Sequence, residues 1–134
     1  MLGKMLKKPT KSMEEIFAED GRYPLDAVQF VREGLNHSVQ RYHPEEESDA
    51  PRHISGEQLC EGLRELARKR WGLMAKSVLN RWNIRATRDF GEIVFLLVNH
   101  GWMQKEPHDC IEDFADVYDF DAAFQGDFEI SLDG

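Results

Sequence analysis

Cysteine is scarce in this chain: Cys60 and Cys110 are the only two, with no CxxC pair and no framework of spacings. A disulfide scaffold is therefore not encoded, and the two read as reduced thiols of a reducing compartment. The five histidines, His37, His43, His53, His100 and His108, fall in no HxxxH or HExxH spacing, so no two stand one helical turn apart as a zinc pair does. There is no Gly-rich phosphate loop and no Gly-x-Ser-x-Gly turn. Long apolar runs are missing too. The longest, Ile93 to Val98, is six residues, against the roughly twenty that cross a bilayer. Lys4, Lys7, Lys8 and Lys11 are followed by no apolar stretch of secretory length. The expectations are a cytoplasmic protein, no membrane contact, no cofactor, no bound metal and no catalytic constellation.

What is present suits one folded domain. A length of 134 residues buries enough surface to fold without covalent help. With 41% hydrophobic and 31% charged residues and three tryptophans, the chain is too apolar to be wholly disordered. A single domain over 1–134 is expected, with a flexible N-terminus at 1–11, an acidic connector at 43–53 (HPEEESDAPRH) and a flexible tail at 125–134.

The periodicity is mainly helical. Ser12-Met13-Glu14-Glu15 has the capping-box form and Gly21 a stop, which predicts a short helix between them. Pro24 suits a first helical position, and Val28, Val31, Leu35 and Val39 mark one buried stripe through about Tyr42. Ser55 caps a helix with Leu59, Leu63, Leu66, Ala67 and Trp71 on one face, ended by Gly72. Met74, Val78, Leu79 and Trp82 supply the apolar side of the next. Residues Asn83 to Thr87 form a turn with Thr87 as the capping residue of a helix from Arg88 to His100, and Gly101 stops it. The run IVFLLV alone also suits a buried strand; length, cap and stop favour helix. Trp102 to Glu106 and Phe114 to Phe120 alternate apolar and polar residues as two strands of a hairpin, and Phe128, Ile130 and Leu132 as an edge strand.

The predicted class is therefore mainly α with a small β-hairpin. Helix, helix, turn, helix, Gly and hairpin over Ser55 to Phe120 resemble a winged-helix core, preceded by one or two extra N-terminal helices. In that comparison Arg88 to His100 is the recognition helix. Beyond Arg88 and Asn99 it offers Asp89, Gly91, Glu92, Phe95 and Leu96, a poor set for base edges, so the resemblance implies protein contacts rather than DNA. The strings HISGEQLCEGLRELA, NIRATRDFGEIVFLLV and DVYDFDAAF resemble an uncharacterised bacterial family found mostly in planctomycetes and verrucomicrobia, over Pro24 to Phe124. That resemblance implies no activity, substrate or site.

Charge carries the remaining signal. The net charge of −8 argues against general polyanion binding. Yet Gly62 to Arg88 holds eight bases against Glu65 alone, +7, and Gln104 to Gly134 holds ten acids against Lys105, −9. The candidate interaction surface is Arg64, Arg68, Arg81, Arg85 and Arg88. It pairs with the acidic part of the same chain, with a second copy, with an acidic protein partner or with nucleic acid. Asp113, Asp116, Asp119 and Asp121 are the densest carboxylate group, read as a charged outer face over Phe114, Val117, Tyr118 and Phe120, with a metal-dependent enzyme as the alternative. Cys60 reads as a buried thiol, and Trp71, Trp82 and Trp102 as core. The favoured function is a non-enzymatic protein-interaction module using oppositely charged surfaces.

Overall fold

Two serines open two of the helices in the same way. In the computed structural model, which describes residues 11–44 and 53–125, Ser12 accepts from the Glu15 amide at 3.1 Å while Glu15 accepts from the Ser12 amide at 2.9 Å. This reciprocal box starts α1 (Met13–Asp20), and Gly21 closes it in the left-handed conformation. Ser55 and Gln58 repeat the arrangement, at 3.0 Å in both directions, to start α3 (Gly56–Trp71). Between them, α2 (Leu25–Tyr42) follows Pro24 and buries Val28, Val31 and Leu35. A 3-10 turn (Gly72–Met74) leads into α4 (Ala75–Arg81), and α5 (Thr87–Asn99) buries Phe90, Ile93, Val94 and Leu97. The run IVFLLV is thus helical. A 3-10 helix (Ile111–Phe114) and the short α6 (Phe120–Ala123) complete the described elements.

Helices α2 and α3 approach closely because two glycines lie in their contact. A Cβ built on Gly62 would stand 1.9 Å from Ser38 Oγ, and one on Gly34 would stand 2.1 Å from Leu63 Cδ2. Any side chain there would hold the helices apart. On the other side of α3, the ring of Phe114 is fully buried against Gly56 and Gly91, joining the 3-10 helix to α3 and α5. One cluster of buried apolar side chains runs from Ile16 to Phe124.

The expected hairpin is absent. Among the described residues there is no strand, and the bridge at Gln104 is not extended into a ladder. The physical cause lies with aspartates of the expected loop and of the expected charged outer face. Asp109 accepts from the Glu106 amide (2.8 Å), Asp113 from the Cys110 amide (3.1 Å) and Asp119 from the Ala122 amide (3.1 Å). Each closes a local turn or cap within or beside an expected strand, a competition that Asp commonly wins. Phe114 and Phe120 are buried as expected, but from a 3-10 helix and a helix start. Without a wing, the winged-helix core fails as a description of Ser55 to Phe120.

Two smaller expectations also change. Thr87 does not cap α5. The helix start is held by Asp89, whose Oδ2 accepts from the amides of Arg85 (2.8 Å) and Ala86 (3.1 Å). The buried Thr87 hydroxyl donates to the Phe114 carbonyl at 2.6 Å and accepts from the Val117 amide at 3.2 Å, so it anchors the segment that follows α5. Met74, expected on an apolar inner side, is exposed. The edge strand at Phe128 to Leu132 lies outside the described residues, as do most of the expected N-terminal, connector and tail segments.

Candidate functional site

The five candidate arginines are distributed over three helices and a turn. Arg64 and Arg68 lie on α3, Arg81 ends α4, Arg85 stands in the turn before α5, and Arg88 is in the first turn of α5. Arg88 Nε lies 3.3 Å from Glu92, which also takes Arg22 at 3.2 Å, and Arg22 in turn pairs with Asp20 at 2.9 Å. The carboxyl of Asp20 is held below its ordinary range by the hydrogen bonds from Arg22. Cations here alternate with anions. Such a surface does not match a row of phosphates.

Contacts between the basic and acidic segments are partial. Lys76 pairs with Asp121, and Arg85 lines a cleft of about 280 Å³ together with Asp116, Tyr118 and Asp119. Other partners of the basic segment come from elsewhere: Arg70 pairs with Glu33 at 2.6 Å, and Arg64 lies 3.8 Å from Glu61. Among the described residues, charge pairing within the chain engages Arg70 and Lys76 closely and leaves Lys69 and Arg81 without an ion-pair partner.

What the charge count did not foresee lies at the junction of α3 and α4. Leu73 and Met74, adjacent in the 3-10 turn, are 64% and 61% exposed, the highest values among the large apolar residues of the described chain. Trp71 and Trp82 are half-buried on Phe30, with ring centroids 5.0 and 5.9 Å from the phenyl and 5.5 Å from each other. No carboxylate occurs in the sequence between Glu65 and Asp89. Lys69 in the last turn of α3 and Arg81 in the last turn of α4 are exposed, and neither has an ion-pair partner among the described residues. The sequence signal was available: two large apolar residues directly after a helix-ending glycine, inside the only long acid-free stretch.

The acidic group is dispersed. Asp113 and Asp119 are engaged with backbone amides and Asp121 with Lys76, while Asp116 sits in a left-handed turn with φ of 51°. Among the described residues, no three His, Cys, Asp or Glu side chains are grouped so as to hold a metal ion. A second cleft, about 450 Å³, opens at the start of α3. In it His53 meets Glu106 at 2.9 Å, and the carboxylate of Asp109 is already occupied by the Glu106 amide. Cys60 is fully buried and its thiol is pushed up by burial, then by Glu61 and Glu57, the opposite of an activated nucleophile. Tyr118 donates to the Cys60 carbonyl at 2.6 Å, and burial raises its phenol well above the ordinary value. The exposed Cys110 thiol is also raised, by desolvation and by Asp113.

Among the described residues no helix is long and apolar enough to cross a membrane. No protein-family model, no curated protein and no solved structure matches the chain.

Proposed function

We propose that this protein is a non-enzymatic interaction module that docks an acidic partner, a second copy included, through the cationic side formed by α3 and α4. One observation carries the reading: Leu73 and Met74 are exposed side by side in an acid-free stretch, with Lys69 and Arg81 left without partners among the described residues. An isolated monomer gains nothing from exposed adjacent apolar residues, whereas an apolar centre with a charged rim is the anatomy of a protein interface. Unpaired cations at the rim steer an acidic partner and suppress basic ones.

The test is the solution mass at low and high salt, with and without a pool of short nucleic acid, joined to a pull-down on the immobilised chain. The expected result is a larger species, or a retained protein, that is released as salt rises. A monomer at every salt concentration that retains nothing would sink the proposal. A monomer that shifts only with nucleic acid would transfer the role of the bases to polyanion binding.

A further inference from the structure

The same junction indicates what shape its partner has. Val78 and Arg81, three apart on α4, continue from Met74 at its N-cap on one side of the helix, forming a ridge, while Ala75 and Leu79 on the adjoining face are fully buried. Met74 and Arg81 are exposed and Val78 is half-buried. The ridge spans about 10 Å at the helical rise. Leu73 adjoins Met74 in the turn, Arg81 is the last residue of α4, and Lys69 lies in the last turn of α3, four residues before Leu73. An apolar ridge with helical spacing is the complement of another helix that presents apolar residues at i, i+3 or i+4, and i+7. Its terminal cations select carboxylates at the two ends of that helix.

Resting on the interaction reading above, we infer that the α3–α4 junction docks a short acidic amphipathic helix of a partner protein. Its apolar face lies on Leu73, Met74 and Val78, and its carboxylates meet Lys69 and Arg81. A flat anionic bilayer fits less well. It would press on every group around the turn, including Glu33 beside Arg70 and Asp121 beside Lys76, and so bring carboxylates against lipid phosphates. A helix is narrow enough to follow the ridge alone.

The experiment selects peptides from a random display library of about sixteen residues on the intact immobilised chain, a length that allows four helical turns. Enrichment is compared against two double variants, Leu73→Ser with Met74→Ser and Lys69→Glu with Arg81→Glu. All four positions are exposed, and unchanged thermal unfolding confirms that both variants fold. The expected peptides carry apolar residues at helical spacing flanked by Asp or Glu, and each double variant weakens their binding about tenfold or more. Absence of enrichment, enrichment of peptides without acids, or binding that both variants retain overturns the inference. So does intact-chain binding to vesicles of equal phosphatidylglycerol and phosphatidylcholine that the Leu73/Met74 variant abolishes, which assigns the ridge to a membrane. If the intact chain still forms a salt-sensitive complex that neither variant alters, the interaction reading stands and the ridge is not its site.

Discussion

Replacing Gly62 with alanine tests the close contact of α2 with α3. Alanine in a helix interior gains about 1 kcal/mol over glycine, so on propensity alone the variant is stabilised. The structure reverses the sign. The new Cβ would lie 1.9 Å from Ser38 Oγ, and rotating the serine away leaves it 3.1 Å from Ser38 Cβ and 3.4 Å from Ser38 Cα. Backbone must then move, and the helices cannot simply part, because Leu63 is seated on Gly34 in the same interface. Because backbone is displaced, the cost lies in the upper part of the range for overpacking, about 2–3 kcal/mol. The net expectation for Gly62→Ala is a loss of about 1–2 kcal/mol, read by urea titration or as a fall in melting temperature of about 3–8 °C. Ser38 is fully buried, and its hydroxyl makes one long bond, 3.4 Å to the Gln58 carbonyl. Ser38→Ala alone therefore changes stability by about 1 kcal/mol or less. It removes the worst clash, so in that background the cost of Gly62→Ala falls by about half or more, a coupling that a double-mutant cycle measures. A Gly62→Ala protein as stable as its parent, or an equal cost with and without the serine hydroxyl, would refute the argument that these helices touch at backbone distance.

Thr87→Val should cost about 1–3 kcal/mol, since both the Phe114 carbonyl and the Val117 amide lose their partner. Amide exchange should accelerate first at Val117, and unchanged protection there would contradict the anchoring role. The Asp20 carboxyl is depressed in the folded chain, so its stabilising contribution is complete above the ordinary carboxylate range near pH ~4 and is lost as pH falls through the lower folded value. With Arg22 well exposed, that contribution is only about 0.5 kcal/mol, and Asp20→Asn should flatten the acid limb of stability by that amount and leave the neutral range parallel. A thiol reagent should modify Cys110 alone in the folded protein, increasingly as pH rises, and both cysteines after denaturation. Modification of Cys60 without unfolding would show that its surroundings open.

The helical frame was legible because its signals are local. Ser12 and Ser55 cap their own helices through residues three positions on, and Gly21 and Gly72 end them, all within one turn of chain. The stripe on α2 and the apolar run of α5 needed only their own periodicity. The hairpin reading failed where the same letters serve two structures. Alternation of Asp with Phe, Val and Tyr suits a strand edge, but it equally suits a series of aspartate-closed turns that drop aromatic rings inward. Deciding between them required Gly56 and Gly91, far apart in sequence, to leave a slot for Phe114.

The candidate site divides along the same line. By itself the sequence determined that bases and acids are segregated, that no carboxylate occurs between Glu65 and Asp89, and that no motif for a metal or nucleophile is encoded. Tertiary structure alone decided which charges are free. Arg88 is taken up with Glu92, Arg70 by Glu33 and Lys76 by Asp121, while Lys69 and Arg81 find no partner among the described residues. It also decided that Leu73 and Met74 face outward although Leu79, a few residues on, is buried. Composition reports how many charges and apolar groups a chain has; pairing and exposure depend on which distant segments fold against them, and no local pattern contains that information.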